Sequence, residues 1–154
     1  MAGRRLGQHF LASRPHLERI AAAVSAGREP LIVEIGPGRG ALTELLLPLA
    51  ERVVAIEVDP ELVAYLRQKF AGAENLSIIE GDVLATHLGQ WGRAAIAGNL
   101  PYYITSPILE RIFALGARMS SAVVLVQREV AERLAAQPGS RDYGYLTVLA
   151  ISLA

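Results

Sequence analysis

Five short runs rich in apolar and β-branched residues, Leu31–Ile35, Arg52–Glu57, Leu76–Glu80, Ala94–Ala97 and Ala122–Val126, are separated by stretches whose apolar residues recur at helical spacing. A run that is apolar at nearly every position belongs to a strand covered on both faces, and strands alternating with helices run parallel. Leu42, Leu45, Leu46 and Leu49 mark one intervening helix, Leu62, Leu66 and Phe70 a second, and Ile108, Ile112 and Leu115 a third. Ahead of the first strand, Pro15 opens a helix carrying Leu17, Ile20 and Val24. Asp59-Pro60 and Ser106-Pro107 each read as an N-cap followed by proline at the first helical position. The pattern predicts an α/β fold, a parallel sheet of five strands with helices on both faces.

With 154 residues, 52% of them apolar, the chain has enough material for one domain with a real core and too much to stay disordered. It has no cysteine, which removes disulfides and thiolate metal sites, and His9, His16 and His87 lack the spacing of a ligand set. No metal is expected. Met1 to Arg5 is basic, but no seven-residue apolar stretch follows, and no run elsewhere approaches a membrane span, so the expectation is a cytoplasmic soluble protein without membrane contact. Fifteen basic and fifteen acidic side chains cancel. That balance argues against whole-molecule attraction to nucleic acid and leaves room for a local patch, for which Arg4, Arg5, Arg14 and Arg19 are the candidates.

The polar residues fall at the carboxyl ends of the predicted strands. Glu34, Gly36, Gly38 and Gly40 end the first, Glu57 and Asp59 the second, Gly81-Asp82 the third and Asn99 the fourth. In a doubly wound sheet these ends line one crevice, so four separate stretches converge on one site. Gly36-Pro37-Gly38-Arg39-Gly40 makes a tight turn that lets backbone N–H groups approach a ligand, although its third glycine comes one residue too early for a dinucleotide fingerprint. Glu57 follows Gly36 by 21 residues, the separation at which a carboxylate accepts from both ribose hydroxyls of an adenosine-containing cofactor; the plainer alternative is a solvated strand end. Asp82 either accepts from an adenine amine or closes an Asx-turn, and Glu34 either orients the glycine loop or faces solvent.

Asn99-Leu100-Pro101-Tyr102 carries the most chemistry. An amide, a backbone turned away from helix by the following proline and an aromatic ring can together hold a flat nitrogenous base. The Asn99 oxygen and the Leu100 carbonyl accept from an amino group while Tyr102 stacks. That combination points to chemistry on an exocyclic amine, against the plainer alternative of a turn residue and an aromatic cover for the core.

Gly7-Gln8-His9-Phe10-Leu11, the stretch from Glu34 to Thr43, Ile56-Glu57-Val58-Asp59, Gly81-Asp82, Asn99-Leu100-Pro101-Tyr102, Gln127-Arg128-Glu129-Val130 and Asp142-Tyr143-Gly144 together resemble the ribosomal RNA adenine dimethyltransferase family, in order and over nearly the whole chain. The resemblance implies a Rossmann-like class I S-adenosylmethionine-dependent methyltransferase domain spanning residues 1–154. Its implied activity is dimethylation of N6 on two adjacent adenosines near the 3′ end of small-subunit (16S) rRNA, in ribosome biogenesis. By motif, His9 and Leu11 would touch the methyl donor, Gly36 its amino-acid end, Glu57 its ribose and Asp82 its adenine, with Asn99 between donor and target. Small-subunit rRNA, within the pre-ribosomal small subunit, is the implied partner.

In that family the domain continues with two more strands, a Phe-x-Pro-x-Pro loop and a small helical domain. The resemblance therefore implies a domain incomplete at its C-terminus, with Ala122–Val126 left as a bare apolar edge prone to aggregation. Three other readings compete: a large-subunit rRNA adenine N6-methyltransferase of the macrolide-resistance type, a nicotinamide-dependent oxidoreductase, and a non-catalytic RNA-binding or assembly fragment. The glycine spacing and the absence of a Tyr-x-x-x-Lys pair weigh against the oxidoreductase.

Overall fold

The structure, a computed structural model, describes residues 13–100, 105–127 and 146–151. The elements are α1 (Arg14–Ser25), β1 (Leu31–Ile35), α2 (Ala41–Leu46), β2 (Arg52–Glu57), α3 (Pro60–Lys69), β3 (Leu76–Glu80), β4 (Ala94–Asn99), α4 (Thr105–Phe113), β5 (Met119–Gln127) and β6 (Leu146–Ile151). The strands form one sheet in the order β3-β2-β1-β4-β5-β6, every neighbouring pair parallel. From β1 the chain first builds outward through β2 to β3, then returns to the other side of β1 to lay down β4, β5 and β6. The order reverses between β1 and β4, and an open α/β sheet has its crevice at such a reversal.

Alternation of side chains across each strand divides the core in two. On one face Ile32, Val53, Ala95 and Val123 pack beneath α1 and α2. On the other, Val33, Val54, Ile96 and Val124 pack beneath Ile108 and Ile112 of α4. The expected α/β class with helices on both faces is therefore the observed one. Helix starts follow the local chemistry: the Ser13 hydroxyl accepts from the His16 N–H with Pro15 in the first turn, and Asp59 accepts from the Glu61 N–H at 2.9 Å with Pro60 behind it.

Several expectations need correction. The described sheet has six strands, not five: β6 lies parallel along β5, pairing Ala122 with Leu146 through Gln127 with Ile151, so the anticipated bare edge is covered. The strand expected over Ala122–Val126 runs from Met119 to Gln127, and the one expected to stop at Ala97 continues to Asn99. The added positions are mostly polar or small and are strand only through pairing with a neighbour: Gly98 with Val124, Asn99 with Leu125, Ala95 with Ser121 and Gln127 with Ile151. β3 is only half-covered along its length, since it forms an edge of the described sheet. The helix expected to reach Leu49 stops at Leu46, where Pro48 tightens the chain into a 3-10 turn and leaves Leu49 exposed. On α3 the buried seam is Val63 and Leu66, with Leu62 at its margin. Ser106 does not cap α4, because the helix already begins at Thr105.

Gly40 joins the glycine loop to α2 at φ +88°, and a Cβ there would lie 2.6 Å from Cε2 of Phe70. Neither the backbone angle nor the space admits a side chain. Gly40→Ala is expected to lower stability by roughly 1–3 kcal/mol in urea unfolding. A loss below about 0.5 kcal/mol, the scatter of neutral surface changes, would contradict this packing.

Candidate active site

The loop after β1 is held from three directions. Gly36 donates its N–H to the Ile56 carbonyl at 3.0 Å, Gly38 donates to Glu57 Oε1 at 3.0 Å, and Gly40 donates to the Pro37 carbonyl at 2.9 Å. Gly36 and Gly38 both have positive φ, and no atom outside their immediate neighbours lies within 4 Å of a Cβ built on Gly38. The loop thus presents bare backbone over open space. Behind its crest, Lys69 Nζ donates to the Arg39 carbonyl at 2.9 Å and pairs with Glu44 Oε1 at 2.6 Å, bracing the loop from α3.

Glu57 closes β2 as a buried carboxylate, not a solvated strand end. Its Oε1 accepts from Gly38 and its Oε2 from the Asp59 N–H at 3.0 Å, so both oxygens are fixed, each with a lone pair to spare for a ligand hydroxyl. Burial pushes the Glu57 carboxyl above the usual range, opposed by the backbone N–H groups of Asp59, Gly38 and Val58. Glu34 does not face solvent. It lies in β1 at 1% exposure and accepts from the Thr43 hydroxyl at 2.6 Å. Burial raises its carboxyl from 4.5 to about 7, with the Thr43 bond opposing and the charge on Glu57 adding.

At the end of β3, Asp82 is exposed and its Oδ1 accepts from the Leu84 N–H at 2.9 Å, starting the 3-10 turn Val83–Ala85. The Asx-type turn therefore exists, and it uses one lone pair of a carboxylate that can accept several bonds. Gly81 N–H donates to the Glu57 carbonyl at 2.9 Å, which ties this corner to β2. Asn99 is the last residue of β4, with its carboxamide oxygen sheltered from solvent, and its backbone carbonyl lies 3.9 Å from where a Gly36 Cβ would be. Leu100, 1% exposed, donates its N–H to the Leu125 carbonyl at 3.1 Å, fixing the peptide that follows Asn99.

The structure therefore brings Gly36, Gly38, Glu57, Asn99 and Leu100 to the carboxyl side of the β1/β4 reversal, with Asp82 on the β3 corner. His9, Leu11, Pro101 and Tyr102 lie outside the described residues, as do Arg4, Arg5 and the motif residues from Arg128 to Gly144. Arg14 is exposed on α1, 3.7 Å from Glu18. Three residues at the site escaped the sequence reading. Val58 stands 64% exposed between Glu57 and Asp59, an apolar surface beside the buried carboxylate. Thr43 is buried against Glu34, and Gly98 leaves room for β4 to approach β1, since its Cβ would lie 3.0 Å from Leu100 Cδ2 and 3.3 Å from the Ile35 carbonyl. The signals were present: an exposed valine in an otherwise polar loop, a threonine on an apolar helix face, and a glycine inside a strand.

The family model described as ribosomal RNA adenine dimethylase matches residues 2–153. The chain belongs to the ribosomal RNA adenine dimethylase family. A relative from Acidobacterium capsulatum, named ribosomal RNA small subunit methyltransferase A, is 49% identical over 150 residues, covering 95% of this chain and 53% of that protein. The chain thus spans about half the length of the curated relatives it matches. Among solved structures, the 23S rRNA methyltransferase ErmE superposes with a TM-score of 0.72 at 31% identity, covering 79% of this chain and 49% of that one. A dimethyladenosine transferase from Plasmodium falciparum gives the same TM-score and identity, covering 86% and 48%. The fold of this family member is accordingly that of the Rossmann-like class I methyltransferases. Among its described residues no helix is long and apolar enough to cross a membrane, and no group of three or more His, Cys, Asp or Glu side chains could hold a metal ion.

The buried Glu34 gives this family member a pH signature. A carboxyl raised in the folded state binds its proton more tightly folded than unfolded, so its favourable contribution is complete at low pH and is lost as pH climbs from 4.5 through about 7. That interval corresponds to on the order of 3 kcal/mol. Glu34→Gln keeps an acceptor for Thr43 and cannot ionise. Its unfolding free energy, measured by urea titration between pH 5 and 8, is expected to fall less steeply with pH than that of the parent; parallel curves would refute the assignment.

Proposed function

We propose that this chain forms the donor-binding and target-positioning part of an enzyme that uses S-adenosylmethionine to dimethylate N6 of two adjacent adenosines near the 3′ end of small-subunit rRNA. The observation that carries the reading is the meeting of the glycine loop, the immobilised Glu57 carboxylate and Asn99 where the strand order reverses. The small-subunit target rests on the name carried by the Acidobacterium capsulatum relative.

The residues present fit such a donor. Glu57 offers two fixed acceptors to the ribose hydroxyls, Val58 an apolar surface to the adenine, and Asp82 an acceptor to its amine. The loop from Gly36 to Gly38 lets the amino-acid end approach backbone. The buried Glu57 carboxylate, held by backbone N–H groups, favours a ligand that carries positive charge. When bound, S-adenosylmethionine supplies a methyl group already activated by its sulfonium.

What remains for the protein is alignment and control of the nucleophile. The lone pair of adenine N6 is delocalised into the ring. Acceptors on both N6 hydrogens, the Asn99 side-chain oxygen and the Leu100 carbonyl, favour a pyramidal nitrogen and stabilise the positive charge that develops there. The bond from the Leu100 N–H to the Leu125 carbonyl holds the peptide that joins Asn99 to Leu100. Tyr102 takes the stacking role for a base drawn out of its helix, and His9 and Leu11 approach the donor from the N-terminal side, roles that rest on the sequence motifs.

Calorimetry with S-adenosylmethionine, followed by methyl transfer to undermethylated small ribosomal subunits and mapping of the modified adenosines, tests the proposal. No donor binding would overturn it, and methylation confined to large-subunit rRNA would assign the macrolide-resistance type instead. Glu57→Ala is expected to weaken donor binding about 10- to 100-fold by calorimetry, through loss of two charge-assisted hydrogen bonds. Asn99→Ala is expected to keep donor affinity and to lose about 100-fold in turnover. Equal turnover would remove Asn99 from the mechanism.

A further inference from the structure

The glycine loop has a second anchor that lies wholly beneath it. Thr43 sits in the first turn of α2 and Glu34 in β1, so their side chains join the two ends of the segment that runs through Gly36, Gly38 and Gly40. Each is 1% exposed, and the Thr43 hydroxyl donates to Glu34 Oε1 at 2.6 Å. A helical threonine ordinarily turns its hydroxyl back to a carbonyl of the preceding turn. Here it reaches across to another element. The first turn of α2 has no side-chain cap either, because Gly40 occupies the N-cap position. To the core packing of Leu42 and Leu46 the buried hydroxyl–carboxyl bond adds a directional restraint on where α2 begins relative to β1.

We propose that Thr43 is a positioning residue for the donor: by donating to Glu34 it holds the ends of the glycine loop at a fixed separation, so that the loop is set for the ligand before the ligand arrives. The inference rests on the reading that S-adenosylmethionine occupies this crevice, and it concerns affinity, not the methyl-transfer step. Glu34 receives the bond and Thr43 gives it. Neither needs to touch the donor. Because the hydroxyl is buried, its removal leaves the carboxyl without its donor and no solvent to replace it. The loop then samples other separations, and binding must select the competent one.

The test compares the parent with Thr43→Val, which keeps the side-chain shape without the hydroxyl, Thr43→Ser, which keeps the hydroxyl, and Glu34→Gln, which keeps an acceptor. Donor affinity by calorimetry, at a temperature where each melt places the variant fully folded, is expected to weaken about tenfold in Thr43→Val and to stay near the parent in the other two. KM for the donor rises in parallel while kcat at saturating donor is unchanged. Amide hydrogen exchange on the donor-free proteins is expected to show Gly36, Gly38 and Gly40 protected in the parent and faster in Thr43→Val. A lowered melting temperature with unaltered donor affinity would make Thr43 merely structural and overturn the proposal. Should Thr43→Val fail to fold, the parent alone still decides: unprotected Gly36 and Gly38 amides in the donor-free protein mean the loop is not preset. Failure of the parent to bind donor would sink the functional reading itself, whereas equal binding by parent and Thr43→Val sinks only this inference.

Discussion

The bond between Glu57 and the Gly38 amide is the joint on which the site depends. It connects the end of β2 to the middle of the loop that follows β1, two pieces of chain that the sheet alone would leave adjacent but unregistered. The same carboxylate also restrains Asp59, the cap of α3, so one buried side chain sets the loop, the strand end and the helix start together. A carboxylate in that position is costly to bury. The cost is offset by backbone donors that have no better partner, and the outcome is a rigid acceptor pair at a place where flexible acceptors would have to be ordered by the ligand.

The sheet topology explains why these groups can act together at all. The six described strands share one carboxyl edge, and at the neighbouring pair β1 and β4 the connections that follow part in opposite directions, which opens a crevice between them. Gly36 stands on one side of that opening and Asn99 on the other, and a Cβ on Gly36 would lie 3.9 Å from the Asn99 carbonyl. A ligand bound to the β1 and β2 side is therefore presented to whatever the β4 side holds.

Much of this was legible in the sequence because the constraints are local. Near-continuous apolar runs located β1 and β2 to the residue, and Asp59-Pro60 fixed the start of α3. The convergence of Glu57, Gly36 and Asn99 followed from the rule that parallel strands share a carboxyl edge. What stayed hidden depends on tertiary contacts. The sixth strand, Leu146–Ile151, has no pattern that separates it from a helical apolar stretch, and only its pairing with β5 makes it a strand. Glu34 had two readings, orienting the glycine loop or facing solvent, and solvent is ruled out by its burial against Thr43, nine residues away on another element. Asp82 had two readings that turn out to be compatible, since capping a turn uses one lone pair of several.

Gly98 has a further implication for how such a site can change. The residue directly before Asn99 faces the Ile35 carbonyl and the Leu100 side chain so closely that even one methyl group would press on them. Variation at that point cannot adjust the amide by degrees. Any evolutionary or engineered change in what surrounds Asn99 has to come from residues beyond the strand, while the last step of β4 stays frozen by the lack of an atom.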